Sequence, residues 1–297
     1  MTIESIKKSL FKICITLKDS YLYLFRHALI VNAYVCEKPF GGIAHQNWGD
    51  DLNYYLIKRI TGRPVVFYEN FLLAKWFNLK NYMCIGTVLD AYYYCNRGTI
   101  VWGSGTVGVK WVFEKPYKIC SVRGQLTRKF LVDNQIDCPN NFGDPALLLP
   151  VVYSPNIEKK YKLGLIPHVS DLDNSLVREF CEEKDVLLID LKHYDRWTDV
   201  IDQVLSCEQI ASSSLHGLIV SDAYGIPNCW VSFGGKIGGG DFKFLDYFSS
   251  VQREDQHSLA VKKKEDFQEV FKQMAKWKAP VIDVQEILRA CPFDVKL

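Results

Sequence analysis

The sequence predicts an α/β protein built from two Rossmann-like halves that face each other across a cleft, and three observations lead there. Short apolar runs rich in β-branched residues alternate with helical patterns along most of the chain. At 297 residues the chain exceeds one small domain. The periodicity lapses at 147–162, where Pro150, Ser154, Pro155 and Asn156 supply turn residues. A boundary there gives an amino-terminal unit, 1–150, and a carboxy-terminal unit, 151–297.

In the first half the pattern predicts strands at 28–36, 64–67, 82–86, 99–103 and 117–122, with helices at 51–61 and 124–134. In the second half it predicts strands at 162–166, 186–190, 209–212 and 228–231, with helices at 172–184, 197–205 and 215–224. Strands this short, joined through helices, belong in parallel βαβ units. Ahead of both halves, Ile3, Ile6, Leu10, Ile13, Leu17, Tyr21 and Leu24 recur on one helical face that avoids Lys7, Lys8, Lys12 and Asp19. A helix over 3–25 with this pattern packs on the core or makes peripheral contact with an anionic membrane, and core packing is the reading preferred from sequence.

Composition narrows the function. Hydrophobic residues make up 48% and charged residues 24%, which suits a soluble globular protein. Lysine and arginine exceed aspartate and glutamate by 36 to 34, leaving no broad positive field for a nucleic-acid partner. The ten cysteines form no C-x-x-C pair and are expected to be reduced, buried small side chains. No run reaches the roughly 18 apolar residues of a membrane span, and Lys12 and Lys18 interrupt the apolar block a signal peptide would need. The expected location is cytoplasmic, at the inner face of the membrane if the first helix binds lipid.

The most informative segment is Ile210-Ala-Ser-Ser-Ser-Leu-His216-Gly-Leu-Ile-Val-Ser-Asp-Ala-Tyr-Gly-Ile-Pro227. A strand ends in three serines, and the helix that follows offers free N–H groups and a positive dipole end to an anion. His216 falls in the first turn, where an imidazole can donate to a phosphate or carboxylate and exchange a proton near neutral pH. The same residues are also what a plain serine cap beside an ordinary histidine looks like.

This string resembles the carboxy-terminal motif of the polysaccharide pyruvyl transferases, and it does not stand alone. Asn47-Trp-Gly-Asp50-Asp51 is similar to the family's N-x-G-D element, Val122-Arg123-Gly124 to its V-R-G step, Gly143-Asp144-Pro145 to its G-D-P element and Ile166-Pro-His168 to its P-H strand end. The resemblance implies a fold like that of the B-type glycosyltransferases, with phosphoenolpyruvate as donor and a saccharide hydroxyl pair, free or lipid-linked, as acceptor. It implies a cyclic pyruvate ketal as product, within capsule or exopolysaccharide assembly.

That chemistry makes demands of its own. A small anionic donor needs a guanidinium and fixed N–H donors, for which Arg123, His216, Ser213, Ser214 and Lys243 are the candidates. Protonating the enol carbon and deprotonating a sugar hydroxyl need an acid and a base, for which His216, Asp50 and Asp144 are available, with their roles unassigned. Asn47, Asp50 and His168 are placed to bind acceptor hydroxyls. Asp50 could equally be a helix cap, Asp144 an ordinary turn residue and Arg123 a surface brace. The glycine loop 234–240 with Lys236 could close over the donor. The small residues of 101–106 could admit a ligand. Tyr92, Tyr93, Tyr94, Trp102 and Trp111 could stack on a sugar, although aromatic clusters are more often core. No metal or nucleotide cofactor is expected. The competing readings are a nucleotide-sugar glycosyltransferase on the same scaffold and a non-catalytic glycan-binding protein.

Overall fold

The structure, a computed structural model, describes residues 3–89, 95–108, 114–234, 240–255 and 257–296. It begins with α1 (Ile3–Arg26), β1 (Leu29–Val31) and an antiparallel hairpin of β2 (Cys36–Glu37) and β3 (Ile43–Ala44). Then come α2 (Trp48–Thr61), β4 (Val65–Phe67), α3 (Leu72–Trp76), β5 (Asn81–Met83), β6 (Thr99–Trp102), β7 (Lys118–Ser121) and α4 (Gln125–Asp133). A 3-10 turn, Pro145–Leu148, runs into α5 (Leu149–Val152). The next elements are β8 (Tyr161–Ile166), α6 (Ser175–Phe180), β9 (Val186–Leu188), α7 (Trp197–Leu205), β10 (Cys207–Ser212) and α8 (Leu215–Ala223). The chain finishes with β11 (Asn228–Ser232), α9 (Phe242–Ser250), β12 (Leu259–Ala260), α10 (Phe267–Met274) and α11 (Val284–Arg289).

The α/β class is as the sequence predicts, with two five-stranded sheets ordered β4-β1-β5-β6-β7 and β12-β11-β10-β8-β9. Every pairing within them is parallel. Counted along the chain, each sheet has the order 2-1-3-4-5, so its winding reverses once, between β1 and β5 in the first and between β8 and β10 in the second. Loops leave such a switch point in opposite directions, and the crevice between them, beyond the carboxyl ends of the strands, is where α/β sheets take ligands. Asn32 and Cys84 stand there in one sheet, His168 and the Ser213–His216 turn in the other.

One apolar cluster joins elements of both sheets, among them Trp48, Leu52, Trp102 and Leu148 with Ile166, Leu218 and Trp230. The segment 147–162, expected to be irregular throughout, opens in helical turns. Leu147, Leu148 and Leu149 are buried against α8 and outweigh the turn signal of Pro150, which sits in the first turn of α5, where a missing N–H costs nothing. Expected strand 28–36 stops at Val31, because Asn32 turns inward to bond Asn81 and the chain bends before the hairpin. The hairpin, α3, α5, α9, β12, α10 and α11 were not foreseen; α9 stands where the closing loop was expected to run on. In α11 the Ile287 carbonyl accepts from the Trp102 indole at 3.0 Å, so the last helix lies on the first sheet. Trp102 is therefore a core residue, whereas Tyr92–Tyr94, Trp111 and Lys236 lie outside the described residues.

All ten cysteines are free; five are buried as expected, while Cys14 and Cys36 are exposed. Helix α1 packs through Ile15, Leu22 and Tyr23 and not through the face expected to meet the core, whose Leu10, Ile13, Leu17, Tyr21 and Leu24 are exposed; both faces are apolar, and the period alone does not choose between them. No helix among the described residues is long and apolar enough to cross a membrane.

Candidate active site

The turn from β10 into α8 is held by its serines. Ser212 Oγ donates to the Ile166 carbonyl (2.9 Å) and accepts from the Ser214 N–H (3.0 Å), tying the ends of β8 and β10 together. Ser213 Oγ accepts from the His168 N–H (2.8 Å) and donates to Asp171 (2.7 Å). Ser214 is the N-cap of α8, yet its hydroxyl makes no capping bond. A Cβ at Gly217 would overlap Ser212 Oγ, so the glycine lets α8 settle onto the strands and presents His216 in the first turn.

The first turn of α2 meets that imidazole. Asn47, and not Asp50, caps α2, accepting from the Gly49 N–H (3.2 Å) and donating from Nδ2 to Asp50 (2.8 Å). The turn is anchored to the second run of the chain: the Trp48 indole donates to the Trp197 carbonyl (2.8 Å), the Trp48 N–H to Leu191 (2.7 Å) and the Tyr194 hydroxyl to Asp51 (2.6 Å). A Cβ at Gly49 would overlap His216 Nδ1, so glycine is required for the ring to sit flat against the helix start. His216 is buried, and its Nε2 has no hydrogen-bond partner among the described residues.

Arg123 is fully buried and not a surface brace. Its Nε donates to Asp246 Oδ2 (3.0 Å), Nη1 to Thr87 (2.7 Å) and Nη2 to the Thr106 carbonyl (3.4 Å). Gly105 lies so close to the guanidinium carbon that any Cβ would collide with it, so the close approach at 101–106 is made by a protein group. Asp246 also accepts from the Thr127 N–H and hydroxyl, each at 2.7 Å, and so caps α4 from α9. Gly124 leaves room for the Asp246 carbonyl. Helix α9 is in turn fixed to α8: Asp222 accepts from the Tyr247 hydroxyl (2.8 Å), Asn228 (2.6 Å) and Arg253 (2.9 Å). Sequence reading missed Asp246, Thr127, Asp222 and Gly49, because their partners lie far along the chain.

The electrostatics bind these residues into one group. Burial, reinforced by the Lys243, Arg123 and His168 charges, pushes His216 down to about 3, so its imidazole is neutral in the free protein. Burial and the neighbouring Asp51 push Asp50 up to about 7, against Lys243 and Asn47. Burial and Arg123 pull Lys243 down to about 8, opposed by Asp50. Burial raises Asp144 to about 6, against the Ala146 N–H that its Oδ1 accepts (2.9 Å) and the Arg123 charge; its Oδ2 has no partner among the described residues. Burial and Lys243 lower His168.

The Lys243 and Arg123 charges thus link His216, Asp50, His168 and Asp144 into one chain of interactions, Lys243 acting on the first three and Arg123 on His216 and Asp144. Arg123 and Asp144 are the buried floor, and Asp50, Lys243 and His168 the partly exposed rim. Ser213 and Ser214 border them, the former with its hydroxyl committed to His168 and Asp171. A cavity of about 400 Å³ opens beside the group, beyond β1 and β5, lined by Phe11, Asn32, Tyr34, Gln46, Glu69 and Val88 among others. It does not contain His216. It meets the group at Gln46, next to Asn47, and at Val88, which with Asp50 flanks Gly86.

Parallel sheets with perturbed acid–base groups at their switch points define an α/β enzyme-type site. Residues 77–234 match the polysaccharide pyruvyl transferase family, and the chain belongs to it, which implies a transferase of polysaccharide pyruvylation. It is 31% identical over 210 residues to "Uncharacterized protein L143" of Acanthamoeba polyphaga mimivirus, covering 68% of this chain and 70% of that one. It is also 28% identical over 216 residues to the succinoglycan biosynthesis protein ExoV of Rhizobium meliloti (strain 1021), covering 70% of this chain and 62% of that one. The family match takes in Arg123, Asp144, His168, Ser213, Ser214 and His216; Asn47, Asp50 and Lys243 lie outside it.

Proposed function

We propose that the protein transfers pyruvate from phosphoenolpyruvate to two hydroxyls of a saccharide, closing a cyclic ketal and releasing phosphate. The acceptor is galactose or another hexose of a surface-glycan repeat unit, free or on a lipid carrier, and the two sheets act as Rossmann-like domains of B-type glycosyltransferase kind that meet at this site. The observation that carries the reading is the neutral His216 Nε2, without a partner among the described residues and set among the Arg123 and Lys243 charges, with an Asp50 carboxyl pushed up to about 7.

Lys243, at the rim, takes the phosphate, and the helix dipole of α8 with the buried Arg123 charge favours the donor's anions. A bound polyanion opposes the burial and the Lys243 and Arg123 charges that together keep His216 neutral, so the imidazole picks up a proton and delivers it to C3 of the enol. C2 becomes oxocarbenium-like. The first hydroxyl adds there as Asp50 removes its proton, and the second hydroxyl then displaces phosphate. Of the two hydroxyl protons, one replaces the proton spent on C3 and the other leaves with phosphate. The cavity beside Asn47 and Asp50 holds the saccharide, with Gln46 and Glu69 for its hydroxyls and Tyr34 for a ring face. Asp144 steadies Arg123, and His168 contacts the acceptor.

Two measurements follow. Phosphate release from phosphoenolpyruvate should require a saccharide acceptor, and nucleotide release from a sugar nucleotide would overturn the assignment in favour of a glycosyltransferase. With neither reaction, and glycan binding unchanged in His216→Ala, the protein is a glycan-binding one. In kcat/KM, activity should rise with pH through about 7 as Asp50 ionises and fall through about 8 as Lys243 loses its proton. Asp50→Asn should remove the rising limb together with most of the rate.

A further inference from the structure

A surface helix normally turns its polar side to water, and α1 does not. While Ile15, Leu22 and Tyr23 pack inward, the opposite side carries Leu10, Ile13, Leu17, Tyr21, Leu24 and Phe25, all exposed, with Leu17 at 68% and Phe25 at 69%. At 100° per residue these positions form one stripe roughly 120° wide. Along one flank of it lies α3, packed on α1, held by Thr16 Oγ accepting from the Leu72 N–H (3.3 Å) and extended by exposed Trp76 (71%) and Phe77. Exposed apolar side chains thus stand on both of two packed helices.

The exposed charges around them are mainly positive, with Glu69 beside Lys75 as the exception. Between residues 9 and 26 the single carboxylate, Asp19, is buried and paired with Lys18, whereas Lys12 and Arg26 are exposed. Burial lowers the Lys75 pKa, Glu69 opposes that shift and Lys12 adds to it. At the carboxy-terminal end of α1 a cavity of about 380 Å³ gathers Lys18, Arg26, Lys58 and Arg63, with Glu37 paired to Lys18. Apolar and aromatic side chains rimmed by cations are what an anionic lipid surface accepts, with rings at the headgroup level and cations at the phosphates. A second copy of the chain would bring these cations against their own kind.

We infer that the outer face of α1 with Trp76 and Phe77 seats the protein on an anionic membrane surface, α1 lying in the plane of the headgroups. This holds whatever reaction the site performs.

The test is cosedimentation of the full chain with phosphatidylcholine vesicles, with and without phosphatidylglycerol. Binding should require phosphatidylglycerol and weaken with salt. Leu17→Asp and Phe25→Asp should each lower the partition coefficient about tenfold, and Arg26→Glu should weaken it as well. Melting temperatures should be unchanged, because these side chains are exposed. Three results would each overturn the inference: no vesicle binding, binding indifferent to Leu17→Asp, or a dimer in solution that Leu17→Asp dissociates.

Discussion

Gly49→Ala is expected to lower kcat/KM for pyruvyl transfer by about 10²–10³ while the protein stays folded. The added methyl would occupy the space of His216 Nδ1, and neither side can retreat. The α2 turn is pinned by the two Trp48 bonds and by Tyr194 on Asp51, and α8 is set on its strands through Gly217. The ring must swing to another rotamer, carrying Nε2 away from the rim formed by Asp50 and Lys243. Alanine is the better helix former by about 1 kcal/mol, which offsets part of the crowding in the melting temperature. Kinetics and thermal melts on the same sample separate the two effects, and full activity in the Gly49→Ala variant would show that the imidazole's position is immaterial.

Arg123→Met should act on the fold itself. Both Arg123 and Asp246 are wholly buried, and removing the guanidinium leaves a carboxylate held only by Thr127. Breaking a buried pair in this way costs about 3–5 kcal/mol, measurable as a shift in the denaturant midpoint. Asp246→Asn in the same background should recover part of that loss, since a neutral amide leaves no buried charge and its oxygen still accepts from Thr127. It should not recover activity, because the charge that favours the donor stays absent. Recovery of both would reduce Arg123 to a strut, and a single variant as stable as wild type would remove the buried pair from the account.

How much of this was readable beforehand depends on the range of the contact. The alternation of short β-branched runs with helical periods is local, and it predicted the α/β class and most strands within a few residues. The serine–histidine turn is local too, so the sequence alone places His216 in the first turn of a helix and His168 at a strand end. What sequence could not show is why the motif glycines are glycine. Gly49 answers to His216, Gly105 to Arg123 and Gly124 to Asp246, each a collision between segments distant in the chain. The same holds for Asp246, which caps α4 from another helix and so leaves no cap signature beside it. Arg123 was legible as important but not as buried, because burial followed from a partner 123 residues away. Helix α1 showed its period from the start, yet periodicity alone does not tell which face is inward when both are apolar.

The central claim is that the group formed where α2 meets α8 grips a small phosphorylated enol. Calorimetric titration of phosphoenolpyruvate into the free protein tests it directly: one saturable site is expected, and Lys243→Met should weaken it by at least about tenfold. Absence of any binding heat, with saccharide present or omitted, would contradict the claim.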